Sequence, residues 1–172
     1  MSAQTANLAH DTAAASSASD KGAGPRQFIS FKVGSEEYAI DILSVREIKG
    51  WTSTTVLPNQ PEFVLGVMNL RGAIVPVFDL RCRFALGLTQ ATPSHVVIIV
   101  TVTDRVIGLL VDAVSDILTV NADEIRPIPE TERTTAVDFL SGIIAVNEGM
   151  VVLLSLDGLF ASNITAKASL AA

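Results

Sequence analysis

Apolar positions in this chain recur mostly at every second residue, the period of a strand with one buried face. Ile29-Ser30-Phe31-Lys32-Val33 alternates in this way and predicts a strand with one wet face. Gly34-Ser35 then predicts a hairpin turn into a second strand, Glu37–Ile40. Over Ile42–Ile48 the alternation breaks. Ile42, Val45 and Ile48 have helical spacing and Asp41 is a suitable N-cap, which predicts one or two turns of helix. Pro58 and Pro61 bracket a loop. Val67–Leu70 and Ala73–Phe78 read as strands around Arg71-Gly72, where glycine supplies a conformation other residues resist. Pro76 places the second of these at an edge or a bulge. Val96–Val100 is continuously β-branched, as in a strand buried on both faces, and Thr103-Asp104 turns it into Arg105–Val111. Phe139–Val146 and Met150–Leu156 are the closing strands, and Asp157–Phe160 reads as a terminal helical turn.

The pattern is written twice. ISFKVGSEEYAIDILSVREI (29–48) is echoed by VIIVTVTDRVIGLLVDAVSDIL (97–118), each with an Asp-x-x-Ser, Asp41–Ser44 and Asp112–Ser115. GVMNLRGAIVPVFDL (66–80) is answered by GIIAVNEGMVVLLSLDGL (142–159), and a polar segment from Pro127 to Val137 is the insertion in the second copy. Two copies of a β-rich unit predict two similar subdomains facing each other. About ten short strands are best served by closed or nearly closed barrels, which remove exposed edges. Duplicated barrels often interlock, so the first barrel is expected to take its final strand from the C-terminus. The fold class is thus mainly β, two tandem small barrels with a few short helices.

Composition narrows the partners. The chain has 172 residues and is 49% apolar, ample for a core. A net charge of −6 with 5% aromatic residues argues against a nucleic-acid surface, which needs basic and aromatic strands. No apolar run is long enough to span a membrane, and no secretory signal pattern opens the chain. With one cysteine, Cys82, no intramolecular disulfide is available, and the expected compartment is the cytoplasm. Residues 1–26 are Ala, Ser, Thr and Gly with little else and are expected to be a disordered tail. Residues 163–172 form the C-terminal end, of which Thr165–Ala172 are expected to be frayed.

Catalytic chemistry finds little support. His10 and His95 have no second His, Cys or Glu at metal-ligand spacing. No Gly-x-Gly-x-x-Gly or Walker sequence occurs. Asp41, Asp112 and Asp116 sit as caps and solvent-facing groups. Arg81 and Arg83 flank Cys82 and could lower its pKa, but a half-buried thiol on a short helix is the better reading. Trp51 is either a core lid or an exposed anchor. An adaptor without enzymatic activity, cofactor or metal fits best.

At GVMNLRGAIVPVFDLR (Gly66–Arg81) the chain resembles the CheW family of chemotaxis coupling proteins. EEYAIDILSVREI (Glu36–Ile48), GLLVDAVSDIL (Gly108–Leu118) and EIRPIPE (Glu124–Glu130) support the resemblance, which covers about 27–160. It implies two five-stranded SH3-like barrels about a shared apolar core, in a CheW-like domain over 27–162 whose second barrel spans roughly 94–140. It implies binding to the regulatory domain of the histidine kinase CheA and to the cytoplasmic tips of methyl-accepting chemoreceptors. The implied location is cytoplasmic, recruited to membrane-associated receptor arrays. A CheW-like half of a CheV protein is the nearest alternative, but no βαβ receiver pattern follows.

By the same resemblance, Val45, Glu47, Gly66, Arg71 and Gly72 are expected kinase-binding positions. Arg126 matches a second kinase contact that joins complexes into rings, although Thr131 stands where some members place an aromatic anchor. Val96, Val114 and Ile117 match the groove that takes the receptor helix. On the residues alone, Val96 and Val114 suit a core better than a contact. Arg71 is expected to pair with Glu47.

Overall fold

The computed structural model describes residues 24–129, 139–147 and 149–160. The tail expected over 1–26, apart from its last three residues, lies outside this set, as do Thr131 and 163–172. Eleven strands occur among the described residues: β1 (Arg26–Val33), β2 (Glu36–Asp41), β3 (Val45–Gly50), β4 (Val64–Leu70), β5 (Ala73–Asp79), β6 (Val96–Val102), β7 (Arg105–Val111), β8 (Ala113–Val120), β9 (Ile125–Arg126), β10 (Leu140–Val146) and β11 (Gly149–Leu154). A short helix, α1 (Leu80–Arg83), follows β5, and a helix over 156–160 follows β11.

Two-residue turns join the central hairpins. The β4–β5 loop is the two residues Arg71 and Gly72, both left-handed at φ 52° and 87°, the primed turn that matches strand twist. Asn69 Oδ1 accepts from Gly72 N at 2.8 Å and fixes it. Thr103 and Asp104, at φ 48° and 62°, close β6–β7 in the same way.

The strands make two mixed sheets, one ordered β8-β1-β2-β11-β10-β9 and the other β3-β6-β7-β5-β4. The two repeats exchange their first hairpins. β1–β2, from the first repeat, lies between β8 and β11 of the second, and β6–β7, from the second, lies between β3 and β5 of the first. The parallel pairs repeat the exchange, β11 on β2 and β5 on β7. Residues 94–140 therefore supply β6 and β7 to one sheet and β8 and β9 to the other. Strands from the C-terminal part do complete the sheet that holds β1 and β2.

Each sheet curls until its edges meet. Thr55, just beyond β3, bonds both ways with Val67 on β4, at 2.8 and 2.9 Å. In the other sheet only residues 121–124 separate the edges β8 and β9. With β8 and β9 taken as one bent strand, each unit has five strands about its own core. Met68, Val75, Val77, Val97, Ile99 and Leu110 fill one interior; Phe28, Ala39, Val120, Ile144, Val151 and Leu153 fill the other. A third and larger core joins them. It is built from the outer faces of the exchanged hairpins (Ile29, Phe31, Val33 and Ile40 against Ile98, Val100, Ile107 and Leu109) and closed by Phe78, Leu80, Phe139, Leu159 and Phe160. Burying a side chain the size of Ile98 contributes about 1.5–3 kcal/mol, so the exchange is held by many such terms.

Four local expectations change. Of Ile42–Ile48 only Ile42–Ser44 winds, as one 3-10 turn capped by Asp41 Oδ1 on Leu43 N at 2.9 Å. Val45 onward is strand, because β6 is buried on both faces and needs a ladder partner for its backbone. Ser30 is not on a wet face: it is fully buried, since β1 packs on both sides. Pro76 lies in an interior strand, tolerated because the ladder to β7 starts only at Val77. The Asp-x-x-Ser echo is not the structural equivalence. Phe31 opposes Val114 as Val100 opposes Val45, so the pairing superposes Val45 on Val114 and leaves the two aspartates two residues out of step. Hydrogen-bond register and core packing, not the short motif, fix the repeat.

Candidate functional site

Pairing register places the expected contact residues on two related faces, one on each barrel. Val45, Glu47 and Ile48 of β3 oppose Val100, Ile99 and Ile98. Val114, Asp116 and Ile117 of β8 oppose Phe31, Ser30 and Ile29. Each strand carries a bulge between its first two residues of this set, and each is the edge of its hydrogen-bonded sheet. In each the valine is half-buried against the shared core and the isoleucine stands out, Ile48 at 45% and Ile117 at 50% exposure.

On the first face, curling of the sheet brings the β4–β5 tip beside β3. Arg71 Nη1 meets Glu47 Oε2 at 2.8 Å, the pair expected from the sequence. Arg71 is 79% exposed, so solvent screens the pair and leaves the guanidinium open to a partner. Gly72 is exposed beside it. Gly66 is different. It is buried at φ 135°, and a Cβ there would stand 2.2 Å from the Thr55 carbonyl oxygen. Its place is in barrel closure. Gly142 repeats it, with a Cβ position 2.7 Å from Ile125 Cγ2.

On the second face, Ile117 is exposed on β8, while Val114 rests on the shared core. Val96 also rests on that core but belongs to the other sheet, opposite Gly50 and Val111. Val96 and Val114 thus meet the same inter-barrel core from different sheets, while Ile117 stands outside it. Arg126 is exposed on β9, which pairs with β10 and closes the second barrel as Thr55 closes the first.

Sequence reasoning missed several exposed apolar side chains: Leu43, Ile48, Val56, Ile74 and Met150. Ile74 and Met150 occupy matching places after the two hairpin tips, each 70% exposed or more. The runs Ala73-Ile74-Val75 and Met150-Val151-Val152 read as buried because every residue in them is apolar. Alternation beside the fully buried Val75 and Val77 was the available signal.

A polar junction holds the hairpins in place. Asp112, between β7 and β8, accepts from Gly34 N at 2.7 Å and pairs with Arg81 at 2.9 Å. His95 Nδ1 faces Thr92 N at 3.0 Å, which directs Nε2–H toward Asp112 at 3.4 Å. Asp79 is fully buried and accepts from Arg81 N, Cys82 N, Thr89 N and Thr89 Oγ1, capping α1 and tying down the loop beyond it. Arg83 lies over both Phe63 and Phe139, each 5.3 Å from the ring centre. Cys82 is half-buried on α1. Desolvation, then Glu62 and Asp79, push its thiol pKa up, so the flanking arginines do not activate it. Trp51 packs against the interior of the first barrel, as a lid. No cluster able to hold a metal ion occurs among the described residues, and none of their helices is long and apolar enough to cross a membrane.

Two small five-stranded barrels on one shared core, with exposed apolar side chains on both edge strands and beyond both β4–β5 and β10–β11 tips, define a mainly β scaffold of two interlocked barrels. The CheW-like domain family matches residues 27–163. Chemotaxis protein CheW of Rhizobium meliloti is 45% identical over 139 residues, covering 81% of this chain and 90% of the relative. That of Klebsiella aerogenes is 44% identical over 137 residues, covering 80% and 82%. A crystal structure of the scaffolding protein TtCheW from Thermoanaerobacter tengcongensis superposes with a TM-score of 0.72 at 35% identity, covering 80% of this chain and 88% of that one. The chain belongs to the CheW-like family of chemotaxis scaffold proteins.

Proposed function

We propose that this protein is a non-catalytic adaptor that couples chemoreceptors to the histidine kinase CheA in membrane-associated arrays. The observation that carries the reading is the pair of register-matched faces on two interlocked barrels. A coupler needs two docking surfaces held rigidly with respect to each other, and the exchanged hairpins and common core supply that. The kinase regulatory domain docks at the β3 face, through Glu47, Arg71 and Gly72, with Val45 and Gly66 shaping it from behind. Arg126 makes the second kinase contact, at the other barrel. The receptor tip is helical and lays an apolar stripe against Ile117, with Val96 and Val114 as the floor. The net negative charge favours neither nucleic acid nor an anionic lipid surface.

Exposed residues give the cleanest test. Ile117→Ala removes an anchor typically worth about 2 kcal/mol, roughly thirtyfold in affinity, for a receptor-tip fragment and spares the kinase regulatory domain. Arg71→Glu does the reverse. Calorimetry of both variants against both partners, with circular dichroism to confirm folding, decides it. Equal losses of both partners in either variant would refute separate surfaces.

A further inference from the structure

Ser30 is a polar residue where its repeat partner is apolar. The matching position in β6 is Ile99, which opposes Glu47 and fills the first barrel's interior. Ser30 is equally inaccessible, at 0% exposure, and opposes Asp116. Burying a hydroxyl away from water is unfavourable unless it is bonded. Both its bonds go to one residue across the ladder: Ser30 Oγ donates to the Asp116 carbonyl at 3.2 Å and accepts from Asp116 N at 3.1 Å. These bonds stand where β8 carries its bulge, between Val114 and Asp116. Asp116 in turn accepts from Ile117 N through its own Oδ1 at 2.7 Å. The chain of contacts runs from a buried side chain in the first repeat, through the bulge, to the exposed Ile117 of the second.

We infer that Ser30 is a positioning residue for the Ile117 face, clamping the β8 bulge so that Ile117 is presented outward in one fixed orientation. The first face has no such clamp, because Ile99 cannot bond to a backbone, so Ser30 acts on one face only. The consequence for binding rests on the reading of the Ile117 face as the site of an apolar helical partner; the consequence for the bulge does not.

Ser30→Ala removes the clamp and little volume, and Ser30→Thr restores a hydroxyl. Amide hydrogen exchange in the full chain tests the geometry alone. Exchange at Asp116 and Ile117 should rise at least tenfold in Ser30→Ala, return toward wild type in Ser30→Thr, and stay unchanged at Glu47 and Ile48. Titration with a receptor-tip helical fragment and with the kinase regulatory domain tests the consequence. Affinity for the first should fall about tenfold in Ser30→Ala, the scale of one or two lost hydrogen bonds, and affinity for the second should hold. Unchanged exchange at Ile117, or equal rises on β3 and β8, overturns the inference. So does an equal loss of both partners. If exchange responds as expected but wild-type chain binds neither fragment, the clamp stands and the adaptor reading fails.

Discussion

Replacing Gly66 with alanine should open the first barrel. The new Cβ would lie 2.2 Å from Thr55 O and 2.8 Å from Thr55 C, both backbone atoms that cannot rotate away. The residue must also hold φ 135°, a conformation that costs an L residue about 1–3 kcal/mol. Relief comes by pushing Thr55 off Val67, which breaks two hydrogen bonds of 2.8 and 2.9 Å at about 1 kcal/mol each. The expected loss is about 3–5 kcal/mol, a large share of the 5–15 kcal/mol typical of a domain. At about 2–4 °C per kcal/mol for a chain of this size, the melting temperature should fall by roughly 6–20 °C. Gly142→Ala is the control. Its nearest obstacle at 2.7 Å is a side-chain carbon of Ile125, which can shift, and its backbone is not left-handed, so about 1–2 kcal/mol is expected. Urea denaturation of both variants measures the two values. If Gly66→Ala loses less than Gly142→Ala, the Thr55–Val67 bridge is not what closes the barrel.

A double-mutant cycle on Arg71 and Glu47 should give a coupling of about 0–1 kcal/mol in urea unfolding, since Arg71 is 79% exposed; a larger coupling would make the pair structural. Asp79→Ala strips the cap from α1 and leaves the half-buried Thr89 hydroxyl and amide without their acceptor, so about 2–3 kcal/mol should be lost in the same assay. A loss under 1 kcal/mol would mean water replaces the carboxylate. Burial and two neighbouring carboxylates raise the Cys82 pKa, so less thiolate is present at a given pH and iodoacetamide should alkylate the folded chain more slowly at pH 8 than the unfolded one. The linked stability is present below the ordinary thiol pKa and lost as pH rises through the raised value; faster alkylation of the folded chain would contradict the burial.

Local chemistry alone determined much of this protein. Period-two patterning placed most of the strands, because a strand buried on one face must alternate. Gly72 and the polar pair Thr103-Asp104 marked their hairpins by interrupting apolar runs, although the left-handed conformations of Arg71 and Thr103 run against their local preference and are set by the flanking strands. The duplication and the GVMNLRGAIVPVFDLR motif carried the family, and the reach of a long cation at a hairpin tip carried the Arg71–Glu47 pair. Only the tertiary structure decided which strands pair. β3 looks helical in isolation and becomes a strand because β6 lies beside it. Ser30 looks wet and is buried because a hairpin of one repeat is inserted into the barrel of the other. Gly66 looks like part of a contact motif and proves to be the point where a barrel shuts on Thr55. In each case the deciding partner is distant in sequence, so its backbone hydrogen bonds and apolar face leave no mark on the local pattern. The exchange of hairpins, and with it the fixed relation between the two faces, is a property of the folded chain.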